Sequence, residues 1–304
     1  MSEHEPRGFQ PIPESESSGY SAHLEEQYNN SATVELYGGK LHVVDVQPEQ
    51  QKSEVPVFVA PGWAANAEVF KDNILGCASE GRRTLSLQNF HGINTENIDE
   101  YPNAELRKVA ALMKTLDEKK IEKTDVIAHS EGALYTIIAA RLYPERFRNI
   151  VLVAPAGMIG KDSVARLGVG FSHDVTRQAV NGVIDGEIRK PMLRAFRESG
   201  KAMASNPLES VKQVFAIAAA EIHTWLKELK DQGIGIAVIH GVDDKAFPME
   251  RVQEVARSEQ MHGFYSVKGG HNDIYLKPKQ FTALAENALS GLENRKREPK
   301  PLSG

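Results

Sequence analysis

The stretch Asp125–Val126–Ile127–Ala128–His129–Ser130–Glu131–Gly132–Ala133 decides how this chain is read. A short apolar run ends in Ser130, and a helix-compatible run from Ala133 to Leu142 follows at once. That is the layout of a nucleophile elbow, in which a serine stands on a tight strand-to-helix turn. Such a turn is strained and takes small residues around the serine. Gly132 lies two positions after it, and Ala128, two positions before it, is the smallest residue that still carries a Cβ. The motif reads Ala-His-Ser-Glu-Gly, a variant of Gly-x-Ser-x-Gly. The alternative is a serine that merely caps a core helix. The two separate on whether the rest of the chain supplies partners for a nucleophile.

Working outward, the pattern on both sides is α/β. Thr33–Tyr37 and Lys40–Val46 flank Gly38–Gly39 as a β-hairpin would. Glu54–Ala60 is a near-continuous apolar run, as in a strand buried on both faces, and it ends at Pro61–Gly62–Trp63 before a helix from about Ala67. Arg83–Leu87 reads as a strand that leads into the loop Gln88–Gly92. A helix spans about Asn103–Lys119, with Leu106, Val109, Leu112, Met113 and Leu116 at helical spacing. Strands follow at Val126–His129 and Asn149–Ala154. The alternation predicts a mostly parallel sheet covered by helices on both faces.

Between about Met158 and Gln232 no strand-like run occurs. Asn206–Pro207–Leu208–Glu209 is a helix start, with asparagine as N-cap, proline at the first helical position and glutamate at the third. Val211, Val214, Phe215, Ala218, Ile222 and Trp225 then form one apolar face. Residues 158–232 are expected to be a helical cap or lid set into a core made of 31–157 and 233–293. The core resumes with a strand over Ile234–His240, a helix from Pro248, a strand over Gly263–Val267 and a helix over about Pro278–Leu292. Residues 1–30 read as an extended or disordered arm and 294–304 as a solvated polar tail.

A chain of 304 residues with 41% hydrophobic and 25% charged residues can bury a sizeable core. A net charge of −5 with no basic stripe argues against a nucleic-acid partner. Cys77 is the only cysteine, so neither an internal disulfide nor a cysteine-based zinc site can form. No apolar run is long enough for a membrane span, and the polar N-terminus does not read as a secretory signal. The expected location is the cytoplasm.

A serine hydroxyl needs a base, an acid to orient that base, and donors for the oxyanion that forms. In open α/β sheets the loops at the carboxyl ends of the strands converge on one crevice. Two such loops carry suitable groups: Gly241–Val242–Asp243–Asp244–Lys245–Ala246–Phe247–Pro248 and Gly269–Gly270–His271–Asn272–Asp273. With the elbow, the chain order is Ser, Asp, His.

In these motifs and their order the chain resembles the α/β-hydrolase fold superfamily, of the serine-triad kind with a helical cap, from about Thr33 to Leu292. The resemblance implies Ser130 as nucleophile, His271 as general base and acid, and Asp244 as the orienting acid. Gly241, Asp244 and Pro248 fit the family pattern Gly-x-x-Asp-x-x-x-Pro, with Asp243 as the fallback. It implies an oxyanion hole from the backbone N–H groups of Glu131 and Trp63. Many relatives carry His-Gly where this chain has Pro61–Gly62, which leaves the donor in place but removes a side chain that could brace the loop.

Other residues invite weaker readings. His129 should face away from Ser130 on its strand and serve packing or hydrogen bonding. The Glu131 side chain should turn to solvent or a salt bridge. His91 and Trp225 are candidates for substrate contact, with His173 and Phe171 behind them. Glu221 and His223 are two apart on a helix and do not face one ion together. The implied activity is hydrolysis of a small-molecule acyl ester or related acyl compound through an acyl-enzyme, with no metal or organic cofactor and a largely apolar pocket under the cap. Carbon–carbon bond hydrolase, acyltransferase and haloperoxidase chemistry, and a non-catalytic binding role, are the alternatives. Oligomeric state is left open.

Overall fold

A computed structural model describes residues 19–36, 39–88 and 95–295. In chain order, α1 (Ala22–Asn29) precedes the strands β1 (Ala32–Leu36), β2 (Gly39–Val46) and β3 (Ser53–Ala60). Then come α2 (Lys71–Ser79), β4 (Arg82–Leu87), α3 (Asn103–Glu118), β5 (Thr124–His129), α4 (Glu131–Leu142) and β6 (Phe147–Val153). Four helices follow without a strand: α5 (Val164–Ile184), α6 (Gly186–Ser205), α7 (Pro207–Ala219) and α8 (His223–Asp231). The chain closes with β7 (Gly235–Gly241), α9 (Met249–Ser258), β8 (Gly263–Val267), α10 (Asp273–Leu276) and α11 (Pro278–Glu293).

The eight strands form one sheet in the order β1-β2-β4-β3-β5-β6-β7-β8. β1 and β2 run antiparallel to their neighbours, and every pairing from β4 to β8 is parallel. Because side chains alternate along a strand, the sheet feeds two apolar layers. Phe58, Val126, Ala128, Ile150 and Leu152 pack with the inner faces of α3, α4, α8 and α9. Val57, Val59, Ile127, Val151 and Val153 pack with those of α1, α2 and α11. Cys77 lies buried in the second layer.

Four expectations change. The N-terminal arm is helical over Ala22–Asn29, capped by Ser21, because Leu24 and Tyr28 reach the second layer. Asn294 and Arg295 do not begin a free tail: Arg295 bonds the Asn149 side chain at 2.6 Å and the Gly233 carbonyl at 2.7 Å. The helix that starts at Asn206 does not run on to residue 232. It ends at Ala220, whose backbone is extended, and the chain turns so that the Ile222 N–H donates to the Gly157 carbonyl at 3.0 Å. Its apolar stripe is also only partly covered, since Val211 and Phe215 are exposed. Residues 1–18, the Tyr37–Gly38 part of the hairpin turn, His91 within 89–94, and 296–304 lie outside the described residues. Among the described residues no helix is long and apolar enough to cross a membrane.

Candidate active site

Ser130 sits between β5 and α4 with φ 53° and ψ −119°, a left-handed conformation that costs a non-glycine residue on the order of 1–3 kcal/mol. The surroundings hold it there. The Ser130 N–H donates to the Val153 carbonyl at 3.0 Å, and the Ser130 carbonyl accepts from Ala133 and Ala156, each at 3.0 Å. Gly132 is needed because a Cβ there would lie 2.3 Å from the Ala60 carbonyl oxygen. The close approach of β3 to the elbow is thus bought with a missing methyl group.

His271, in the loop after β8, places Nε2 2.9 Å from Ser130 Oγ. Its Nδ1 lies 2.9 Å from Asp244 Oδ2. An ionised carboxylate only accepts, so Nδ1 carries the proton and Nε2 is left to accept from the serine hydroxyl. The other Asp244 oxygen accepts from the N–H groups of Ala246 and Phe247 at 2.8 and 2.9 Å. Burial pushes the Asp244 carboxyl up, but the attraction and hydrogen bond of His271, with His240 and the Phe247 amide, outweigh it and hold the group below its ordinary range. All three side chains are buried. The fallback Asp243 is half-exposed and faces Arg177 at 3.9 Å rather than His271.

Two further histidines brace this row. His129 Nε2 donates to the His271 carbonyl at 3.0 Å, which ties the loop after β8 to β5. Burial, then the neighbouring His271, pushes His129 down to about 3, so it stays neutral. His240, at the end of β7, donates from Nε2 to the Phe247 carbonyl at 2.7 Å and lies 3.6 Å from Asp244. Sequence reasoning did not single out His240. Its place at the end of a strand, four residues before Asp244, was the available signal.

The helices after β6 close over the row. The Phe171 ring of α5 lies 5.1 Å from the His271 ring, and Phe247 lies 5.2 Å from it, both edge-on. Arg177 of α5 reaches Asp273 at 3.2 Å, beside the His271 loop. The Trp63 indole N–H donates to the Ser210 carbonyl of α7 at 3.2 Å, joining the loop after β3 to the helical segment. Within that loop Gly62 lies so near the elbow that a Cβ there would be 3.0 Å from the Ser130 Cβ. Among the described residues, neither the Trp63 nor the Glu131 N–H takes part in a backbone hydrogen bond, and Glu131 is the first residue of α4.

Other candidates fall elsewhere. Trp225 packs edge-on against Tyr101 at 5.7 Å and under the Arg141 guanidinium at 4.8 Å. Arg141 lies about 15 Å along α4 from the elbow. His173 is exposed on α5. The Glu131 side chain is fully buried and forms an ion pair with Lys108 instead of reaching solvent. A cavity of about 530 Å³ opens beside the Gly62–Asn66 loop. Its wall mixes Gly62, Ala64, Ala65 and Ala202 with Gln88, Lys108, Lys201, Ser205 and Gln213. No cluster of three or more His, Cys, Asp or Glu side chains suited to a metal ion occurs among the described residues.

The architecture has solved counterparts. An esterase from Exiguobacterium antarcticum superposes with a TM-score of 0.62 at 15% identity, covering 86% of this chain and 99% of that one. The enol-lactonase from Burkholderia xenovorans LB400 gives 0.63 at 16% identity, covering 85% of this chain and 100% of that one. The chain has the α/β-hydrolase fold. In sequence, a protein of Mycobacterium phage D29, provisionally named a non-heme haloperoxidase, is 24% identical over 256 residues, 79% of this chain and 90% of that protein. No family model matches. Proteins of one α/β-hydrolase fold thus carry different named activities, and the fold alone does not choose among them.

Proposed function

We propose that this α/β-hydrolase-fold protein is a serine hydrolase, carboxylesterase-like, that cleaves a small acyl ester or related acyl compound. The observation that carries the reading is the unbroken row from Ser130 Oγ to His271 Nε2 at 2.9 Å and from His271 Nδ1 to Asp244 at 2.9 Å. Ser130 Oγ attacks the acyl carbon while His271 Nε2 takes its proton. Asp244 holds the imidazole in the required tautomer and balances the imidazolium that forms. The Trp63 and Glu131 N–H groups receive the oxyanion. On collapse the acyl–oxygen bond breaks, and His271 returns the proton to the leaving alkoxide. Water then attacks the acyl-enzyme, giving its proton to His271, and the acid leaves with Ser130 restored. The helices over 164–231 act as the lid that encloses this chemistry, and Phe171 is their contact with the base.

The test is turnover of small acyl esters by Ser130→Ala, which should fall to background. Wild-type rates in that variant would contradict the reading. The phage relative favours one alternative fate for the acyl-enzyme, attack by hydrogen peroxide in place of water. Measuring how the acyl-enzyme partitions among water, an alcohol and peroxide separates hydrolase, acyltransferase and haloperoxidase-type chemistry.

A further inference from the structure

Glu131 is an unusual neighbour for an oxyanion. Its carboxylate lies only its own side chain away from the N–H proposed to hold the negative charge, and both are shielded from water. An unbalanced anion there would oppose the charge that develops on the substrate. The structure balances it. Lys108 of α3, itself buried, forms an ion pair with Glu131. Its ammonium stands 5.7 Å from the centre of the Tyr135 ring, and the Tyr135 hydroxyl donates to the Pro61 carbonyl at 3.1 Å, in the loop that carries Trp63.

Glu105, one turn earlier on α3, is fully buried. Neither Glu105 oxygen receives a hydrogen bond from a protein donor. A carboxyl group that is fully buried with no donor to it is disfavoured in its charged form. Burial first, and then the Glu131 charge, raises the Glu105 carboxyl well above its ordinary range. A further acidic side chain that acts on Glu105, Glu209 of α7, is tied to Arg107 at 3.1 Å. The cluster therefore holds one cation, one anion and one neutral acid.

We propose that Lys108 is a positioning residue for the oxyanion site: it cancels the charge of the Glu131 carboxylate, and Glu105 completes a neutral buried lock behind the elbow. The inference rests on the reading that Ser130 attacks an acyl carbon and that the residue after it donates to the oxyanion. A merely structural ion pair would predict a pH-independent loss when broken. The lock predicts a new titration, because removing the cation leaves Glu131 to take up a proton at low pH and to ionise beside the oxyanion at high pH.

The experiment is the pH profile of kcat for a small ester in Lys108→Met, in Lys108→Met/Glu131→Gln and in wild type, with Ser130→Ala alongside. Wild-type kcat should show no fall on the alkaline side. Lys108→Met should show an added alkaline limb, with kcat falling about ten- to a hundredfold across it and KM changing far less. The double variant should lack that limb. A flat loss in Lys108→Met, or a limb that survives Glu131→Gln, would overturn the proposal. Should Lys108→Met fail to fold, infrared spectra of the wild type at pH 7 still decide: a protonated-carboxyl band lost in Glu105→Gln is expected, and its absence from wild type would overturn the lock. If Ser130→Ala keeps wild-type rates, the catalytic reading falls instead, and the infrared result stands apart from it.

Discussion

The loops at the carboxyl ends of β3, β5, β7 and β8 and the helices α5–α7 above them are built on different terms. In the loops Ser130, Asp244 and His271 are each at most 3% exposed and stand on a sheet packed on both faces. In the helices Val183, Ile184 and Phe215 are 74, 79 and 61% exposed. These helices are held to the sheet domain by buried apolar residues, Leu167, Ile188, Met192 and Ile217 among them, and by polar contacts that include Arg177 to Asp273, the Trp63 indole to Ser210, and Arg194 to Asp72. The contrast teaches that the reacting side chains stand on a sheet packed on both faces, while the covering segment leaves much of its own apolar surface open.

Breaking the lower region should cost most. His271→Ala should lower kcat for a small ester about ten-thousandfold, with little change in Tm, because it removes the base and leaves the sheet intact. A stopped assay combined with a melting curve checks both halves. Next in size, Leu112→Ala, in the layer under α3, should cost about 2–5 kcal/mol of stability by chemical denaturation. Arg177→Met should loosen the covering helices and raise KM several-fold with a smaller change in kcat, which steady-state kinetics would show. The smallest effect belongs to Ile184→Ser: on an exposed stripe it should change stability by no more than about 0.5 kcal/mol. A large loss there would mean that the stripe is covered in solution.

How the sequence encodes these two regions explains what could be read from it. The elbow was legible because its constraints are local: a strained turn between an apolar strand and a helix must carry Gly132, and the strands announce themselves by apolar runs. The loops that carry Asp243–Asp244 and His271 followed from their positions after strands, and the choice of Asp244 over Asp243 came from the family resemblance. The helical segment was less legible, because helical spacing names an apolar face without saying what covers it. Phe215 and Trp225 share one pattern, yet one is exposed and the other packs on Tyr101. The break at Ala220 has no glycine or proline to mark it and depends on the distant Gly157 carbonyl. Helix α1 escaped notice because only Leu24 and Tyr28 turn inward. The lock of Glu105, Lys108 and Glu131 is invisible in sequence, since charged side chains on a helix read as a solvated face until a second helix buries them.

Acid and alkaline stability should sharpen the same contrast. The folded Asp244 carboxyl lies below its ordinary 3.8, so its contribution is present above about pH 4 and lost as pH falls through the folded value. The Glu105 carboxyl lies above its ordinary 4.5, so its contribution is full below about pH 4.5 and is lost as pH rises toward the folded value. Glu105→Gln should therefore melt higher than wild type at pH 7, with the gap closing toward pH 4.5 in paired melting scans.

The central claim is that the Ser130 hydroxyl, and no other in the chain, is made nucleophilic by His271. Intact-mass spectrometry after exposure to a fluorophosphonate reads this directly. One adduct per chain is expected, mapped to Ser130 by peptide sequencing and absent from His271→Ala. An unmodified wild-type chain, or an adduct that persists in Ser130→Ala, would contradict it.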